Sequence, residues 1–408
     1  MNLHLVGIAH NALGPQNCRD PFGELVWVFG KALRSAGHHV ILYGAAGSDL
    51  ACCDEFIECV GAETTERTYG GRDKERYQFD SGQGWAGDDE AWREFKMRAA
   101  WELERRVRDK APAVILCSVG WALADMMQPF MRTHIVVEPL IGYNMTFAEH
   151  RVFPSKAWWH YMLAKDAIAA KNEASPTKRD AVIPHPIEPS LFEYRAEKED
   201  YAMFLGRVNE SKGVMFALDA CQKAGVKCLV VGQLPREPEG TKMLHLIKHY
   251  GGQYMGSVGA DERKRLLAGA RVLLAPTTYV EPFGMIAPQA MMSGTPVICT
   301  HWGGLAESVV HGYTGYHVQT VPDTVEALAS IGKIRPEVCR AWALARFAPE
   351  PVGALYSAYL GKITSKDGAG GIKWLHEPHP LEVLTALAAA SPPEGQRDPE
   401  PTSAQGNT

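Results

Sequence analysis

Long apolar runs, paired cysteines and a surplus of positive charge are all missing from this sequence, and each absence closes a class of function. No apolar stretch approaches the roughly 18 residues that a membrane-spanning helix needs. The opening from Met1 to Asn11 has no cationic residues ahead of an apolar run, so it predicts no secretory leader. Nine cysteines stand at positions 18, 52, 53, 59, 117, 221, 228, 299 and 339. None forms a C-x-x-C pair and their number is odd. They read as reduced thiols of a cytoplasmic protein, not as a disulfide framework or a zinc site. A net charge of −5 and a pI near 6.3 disfavour a surface that coats polyanions, which is usually basic. A P-loop, a convincing D-x-D pair and a solenoid repeat are absent as well.

What is present is enough for two or three domains with real cores: 408 residues, of which 46% are hydrophobic and 22% charged. The first half alternates strand and helix. Leu3 to Ile8 reads as a buried strand, followed by a loop through Asn11, Gly14 and Asp20. Phe22, Leu25, Val26, Phe29 and Leu33 then recur at helical spacing, with Pro21 near the start and Gly37 near the stop. His39 to Tyr43 is the next strand. Residues 61–90 read as irregular. A charged helix follows with Trp92, Phe95, Ala99, Leu103 and Val107 on one face, then strands at 113–117, 134–138 and 181–184. The three prolines at 184, 186 and 189 stop regular structure, which puts the domain boundary there.

The second half restarts the alternation, with strands at 202–206, 227–231, 253–258, 271–275 and 295–299 and helices at 214–224, 241–250, 261–270 and 284–293. The expected organisation is therefore a doubly wound α/β domain over 1–189, a second over 190–340, helices over 341–366 that cross back to the first domain, and a tail from 367. Within the tail, Leu381 to Ala390 has the text of a short helix, and 391–408 is too poor in apolar residues to pack. In such sheets ligands bind beyond the carboxyl ends of strands, so the site belongs in the cleft between the domains.

Three constellations can carry chemistry. Gly206-Arg207-Val208-Asn209-Glu210-Ser211-Lys212-Gly213 leads from a strand into a helix, and the turn can bring both cations to one diphosphate. An arbitrary Arg-x4-Lys is more often a pair of solvated cations. Glu281-Pro282-Phe283-Gly284-Met285 precedes a helix start, where Gly284 admits close approach and free N–H groups suit an anion. Glu281 and Gln289 can reach one nucleotide sugar, although a carboxylate at a helix entry also serves the dipole alone. Trp302-Gly303-Gly304 opens a further helix as a second anion nest. His301 and His311 are candidate acid–base groups, against the commoner case of surface histidines.

Taken in order, FLGRVNESKGV, VEPFGMIAPQAMMSGTPVI and GGLAESVVHGYTGY resemble the nucleotide-binding domain of family-four retaining glycosyltransferases of the GT-B fold. AGHHVILYG and VIPHPIEPSLF resemble the same family, over roughly residues 1–360. IGYNMTFAEHRVFPSKAWWHY resembles a subgroup from phage and bacterial sequences. The resemblance implies two Rossmann-like domains facing across a cleft and transfer of a sugar from a nucleotide-diphosphate donor to an acceptor hydroxyl. It implies that Arg207 and Lys212 hold the diphosphate, that Glu281 meets sugar hydroxyls, and that Gly284 and Met285 approach the donor. Pro282, Phe283 and Gly206 then lie in the same binding segments, and Gly14 lines the donor cleft from the first domain.

Two departures stand out. Gln289 occupies the place of the second glutamate in the family's E-x7-E pattern, which binds ribose. The histidine often found near the strand at 113–117 is replaced by Cys117-Ser118-Val119-Gly120, so no general base is named. No metal or other cofactor is expected, the protein's own cations replacing one. Epimerase, phosphorylase and a degenerate sugar-nucleotide-binding module are the alternatives. The locally basic helix text from Arg93 to Lys110 can meet an anionic membrane or nucleic acid, against the plainer reading of a solvated face.

Overall fold

Short Val-, Ile- and Leu-rich strands separated by helices favour one arrangement above others, parallel strands joined by crossovers and covered on both faces. The structure, a computed structural model that describes residues 1–15, 21–70, 87–108, 112–170 and 179–365, has that arrangement twice. The first half runs β1 (Asn2–Val6), α1 (Pro21–Ser35), β2 (His39–Ala45), β3 (Glu55–Val60), α2 (Ala62–Tyr69), α3 (Glu90–Val107), β4 (Val114–Cys117), α4 (Ala124–Met127), β5 (Ile135–Glu138), β6 (His150–Phe153), α5 (Lys156–Ala170) and β7 (Ala181–Val182). Its seven-stranded sheet has the order β3-β2-β1-β4-β5-β6-β7, parallel throughout.

The second half runs β8 (Ala202–Leu205), α6 (Val214–Ala224), β9 (Cys228–Val231), α7 (Glu239–His249), β10 (Gln253–Gly256), α8 (Ala260–Gly269), β11 (Val272–Ala275), α9 (Ile286–Met292), β12 (Val297–Thr300), α10 (Gly303–Ser308) and β13 (Gly315–Val318). Six strands form a second parallel sheet, β10-β9-β8-β11-β12-β13. Each sheet has its own buried core. Helices α11 (Val321–Ser330), α12 (Pro336–Phe347) and α13 (Pro349–Thr364) follow. The last of these returns to the first domain. Its Tyr356 ring meets Phe29 of α1 at 4.6 Å, and Val352, Tyr356 and Leu360 join the first core.

The structure corrects the reading of 61–90 as irregular. Strand β3 precedes it and α2 occupies its first residues, while 71–86 lie outside the described residues. Strand β3 escapes the sequence pattern because it is an edge strand carrying glutamates at both 55 and 58. The expected short helix at 381–390 and the tail from 367 also lie outside the described residues.

Candidate active site

Parallel winding sends the carboxyl ends of both sheets into loops, and these loops meet. Ser155, in the turn after β6, donates its hydroxyl to the carbonyl of Pro282 at 2.6 Å. Glu307 of α10 accepts from the first two amides of α5, Lys156 N at 3.0 Å and Ala157 N at 2.7 Å. A carboxylate of the second domain thus caps a helix of the first. Glu24 of α1 pairs with Arg263 of α8 at 2.9 Å, and Ile141 and Phe153 share a small buried cluster with Val280.

Between these contacts sits the loop that follows β11. Lys212 donates to Glu281 Oε2 at 2.6 Å, and the Tyr279 hydroxyl donates to the same oxygen. The Lys212 ammonium also stands 5.1 Å from the centre of the Tyr279 ring. Only 18% of the Lys212 side chain and 13% of Glu281 are exposed, so the pair works in a poorly screened setting. Burial and the Glu281 carboxylate push the Tyr279 phenol well above its ordinary value and keep it a donor.

The turn after β8 is built to present Lys212. Asn209 accepts from Lys212 N and from the Ser211 hydroxyl, both at 3.0 Å, and Thr278 N donates to Ser211 O at 2.9 Å. Gly213 has φ of 77°, and a Cβ there would lie 1.9 Å from Pro276 O. Backbone of the β8 turn and backbone after β11 are therefore in direct contact, which brings Lys212 to Glu281. Arg207, in the same turn, is exposed, and its charge acts on the Tyr279 phenol. The two cations expected to converge thus border one tyrosine, with Lys212 inside and Arg207 outside.

The remaining expected residues divide. Phe283 is buried edge-on against His185 at 4.8 Å and Phe347 at 5.8 Å, so its ring anchors the loop. Pro282 lends its carbonyl to Ser155. Gly284, with φ of 78°, turns the chain toward Met285 and α9. Gln289 is 4% exposed in that helix. Gly14 is buried, and its neighbour Leu13 is fastened to the turn after β2 by bonds to Ser48 and Asp49. Gly206 is half-buried where β8 ends.

The Gly303-Gly304 pair is not an anion nest. Gly304 N donates to Glu281 O at 2.7 Å, and a Cβ on Gly304 would lie 2.6 Å from Pro282 O. The glycines let α10 press on the loop that carries Glu281. The two candidate histidines stand together with a third. His301, His311 and His317 form a row with rings 4.8 and 5.6 Å apart, and burial holds His317 down to about 4. His185 is pushed down to about 3 by burial. Among the described residues no group of three or more His, Cys, Asp or Glu side chains is placed to hold a metal ion, and no helix is long and apolar enough to cross a membrane. The basic charge of α3 is largely answered: Arg98 pairs with Glu94, Arg105 with Glu102, Arg106 with Glu55, Arg108 with Glu104 and Lys96 with Asp125.

Sequence reading missed Glu138, Tyr143, Ser155 and Glu307, which meet their partners only through the fold. Glu138 ends β5, is wholly buried, and accepts three hydrogen bonds. Burial pushes its carboxyl from the ordinary 4.5 up to about 7. A raised acid binds its proton more tightly folded than unfolded, so its contribution is full below pH 4.5 and is lost as pH rises through 7. That shift is worth at most about 3 kcal/mol. Denaturant melts at pH 5 and pH 8 should show Glu138→Gln losing less stability across this window than the parent does. Identical pH dependence in both proteins removes Glu138 as the source.

Residues 188–335 match the family model "Glycosyl transferases group 1". An uncharacterised glycosyltransferase of Methanocaldococcus jannaschii is 30% identical over 135 residues, 32% of this chain and 34% of that protein. The chain matches about a third of the length of such curated relatives. Of solved structures, AviGT4, a glycosyltransferase involved in avilamycin A biosynthesis, superposes with a TM-score of 0.63 at 20% identity, over 89% of this chain and 97% of that one. HepE of Anabaena, in complex with UDP and glucose, gives 0.57 at 14% identity over 88% and 99%. The fold is that of these GT-B glycosyltransferases, two parallel α/β domains facing across a cleft.

Proposed function

We propose that this chain is a retaining glycosyltransferase that moves a sugar from a nucleoside-diphosphate donor to an acceptor hydroxyl. The observation that carries the reading is the Lys212–Glu281–Tyr279 cluster at the head of the loop before α9. Its support from relatives is the family match over the second domain and the UDP and glucose held by HepE.

The donor diphosphate takes Lys212 and Arg207 as its cations, and Glu281, still held by Tyr279, turns its free oxygen to a sugar hydroxyl. The bond from the sugar's anomeric carbon to the diphosphate breaks as the acceptor oxygen bonds to that carbon on the same face. The acceptor proton leaves with the diphosphate oxygen. This route needs no carboxylate pair, and it gives retention. Charge that develops on the departing diphosphate is met by fixed cations. The eight described cysteines are free and buried, which suits the reducing, cytoplasmic setting we assign to the reaction.

A thermal-shift screen of UDP-, GDP- and ADP-sugars, followed by mass spectrometry of products from a lysate of acceptors, tests the proposal. Donor binding without turnover on any acceptor favours a sugar-nucleotide-binding module, a reading for which Gln289 in place of glutamate speaks.

We also propose that no metal takes part. Turnover should survive EDTA, because Lys212 and Arg207 already answer the phosphate charge. Complete loss in EDTA, restored by magnesium or manganese, overturns this.

Gln289 is assigned to the donor ribose through a neutral hydrogen bond. Such a bond is worth about 1 kcal/mol, so Gln289→Leu should raise the donor KM roughly fivefold to tenfold. Gln289→Glu, with a charge-assisted bond, should bind donor at least as well. Donor titration decides it: parental affinity in the leucine variant removes Gln289 from the ribose.

A further inference from the structure

Two loops of the first domain are tied together by a carboxylate that the transfer chemistry does not use. Glu138 Oε2 accepts from the backbone N–H groups of Phe147 and Ala148, each at 2.7 Å, and Oε1 accepts from the Tyr143 hydroxyl at 3.2 Å. That hydroxyl accepts in turn from Gly120 N at 3.0 Å, in the turn after β4. The contact is close enough that a Cβ on Gly120 would lie 2.2 Å from the Tyr143 ring. One side chain therefore joins the ends of β4 and β5 and folds the β5–β6 loop, residues 139–149, back on itself.

Burying a carboxylate is costly, and the cation acting on it, Arg151, is committed to Asp180 and Asp166 at 2.9 Å each. An apolar side chain would serve a core better at this place. What the bonds secure is the position of the loop. Ile141 and Tyr143 pack in the cluster that includes Val280, and a Cβ on Gly142 would sit 3.9 Å from the Pro282 ring. Val280 and Pro282 are the two neighbours of Glu281.

We infer that Glu138 is a positioning residue for the transfer step: through Tyr143 and the amides of Phe147 and Ala148 it holds the β5–β6 loop against Val280 and Pro282, and so sets where Glu281 stands. The inference rests on the proposed glycosyl transfer. Glu138 itself touches no substrate.

The test uses the full chain and two variants of similar volume. Glu138→Gln keeps an acceptor for the two amides and a donor for the phenol. Glu138→Leu keeps neither. Hydrogen exchange followed by mass spectrometry should show the leucine variant exchanging tenfold faster than the parent both at 139–149 and at 279–283, with the glutamine variant within threefold. With UDP-glucose as donor and water as acceptor, kcat should fall at least tenfold in the leucine variant while the Kd for UDP stays within twofold. The glutamine variant should retain most turnover. Adding Tyr143→Phe to Glu138→Leu should cost nothing further, because both act through one chain of bonds.

Unchanged exchange at 279–283 in the leucine variant overturns the inference, as does an equal fall of kcat in both variants or a fully additive double variant. If Glu138→Leu does not fold, Tyr143→Phe alone carries the test: faster exchange at 279–283 supports the inference and parental exchange overturns it. A parent chain that binds neither UDP, GDP nor ADP defeats the glycosyl-transfer reading instead, and the exchange measurements still decide the tie between the loops.

Discussion

Lys212→Ala should lower turnover by two to three orders of magnitude and leave the folded structure in place. In the resting protein the Lys212 ammonium is bonded to Glu281 and sits over Tyr279, with little water around it. A fixed donor aimed at developing charge in such a place is worth about 3–4 kcal/mol. The fold tolerates the loss because Glu281 keeps its bond from Tyr279 and because Asn209 still closes the turn through the backbone of residue 212. Arg207→Ala should act in the same direction. Arg207 is exposed in the resting state, so its removal should spare the melting temperature most completely. Single-turnover rates at saturating donor measure the effect on chemistry, and thermal melts measure the fold. Near-normal turnover in either variant would sink the assignment of these cations to the leaving diphosphate.

The two-sheet architecture was legible because parallel strands buried on both faces read as unbroken apolar runs. Val272-Leu273-Leu274-Ala275 and Val297-Ile298-Cys299-Thr300 are buried along their full length. Strand β6 was not legible. Its text is His150-Arg151-Val152-Phe153, and an arginine argues against a central strand until Asp180, 29 positions on, is seen bonding its guanidinium twice. The site divided in the same way. Arg207, Lys212 and Glu281 were legible because they lie in two short motifs next to strand ends. Glu138, Ser155 and Glu307 were not, because each acts on atoms far away in sequence: Glu307 caps a helix that starts 151 residues earlier. Gly303-Gly304 was legible as a special position and misread as to its purpose. Paired glycines before a helix suit an approaching anion or an approaching backbone equally well, and only the bond from Gly304 N to Glu281 O separates the two.

That distinction leads to the other large effect. Gly304→Ala adds a Cβ at 2.6 Å from both Phe283 Cα and Pro282 O, and backbone atoms cannot rotate away as a side-chain tip can. Relief requires α10 to move off the 281–283 loop, which strains or breaks the 2.7 Å bond to Glu281 O. Overpacking of this kind costs about 1–3 kcal/mol of stability. The cost to function should be larger, because a displacement near 1 Å at a reacting centre lowers the rate on the order of a hundredfold. Glu307 rides on the same helix, so its bonds to Lys156 N and Ala157 N shift as well. Gly259→Ala is the control. It precedes α8, and a Cβ there meets nothing within 4 Å. The expected pattern is a lower melting temperature and a kcat reduced a hundredfold for Gly304→Ala, against parental values for Gly259→Ala. If Gly304→Ala melts and turns over as the parent does, α10 does not hold Glu281 in place. The glycine pair would then have to be explained by direct approach of the donor.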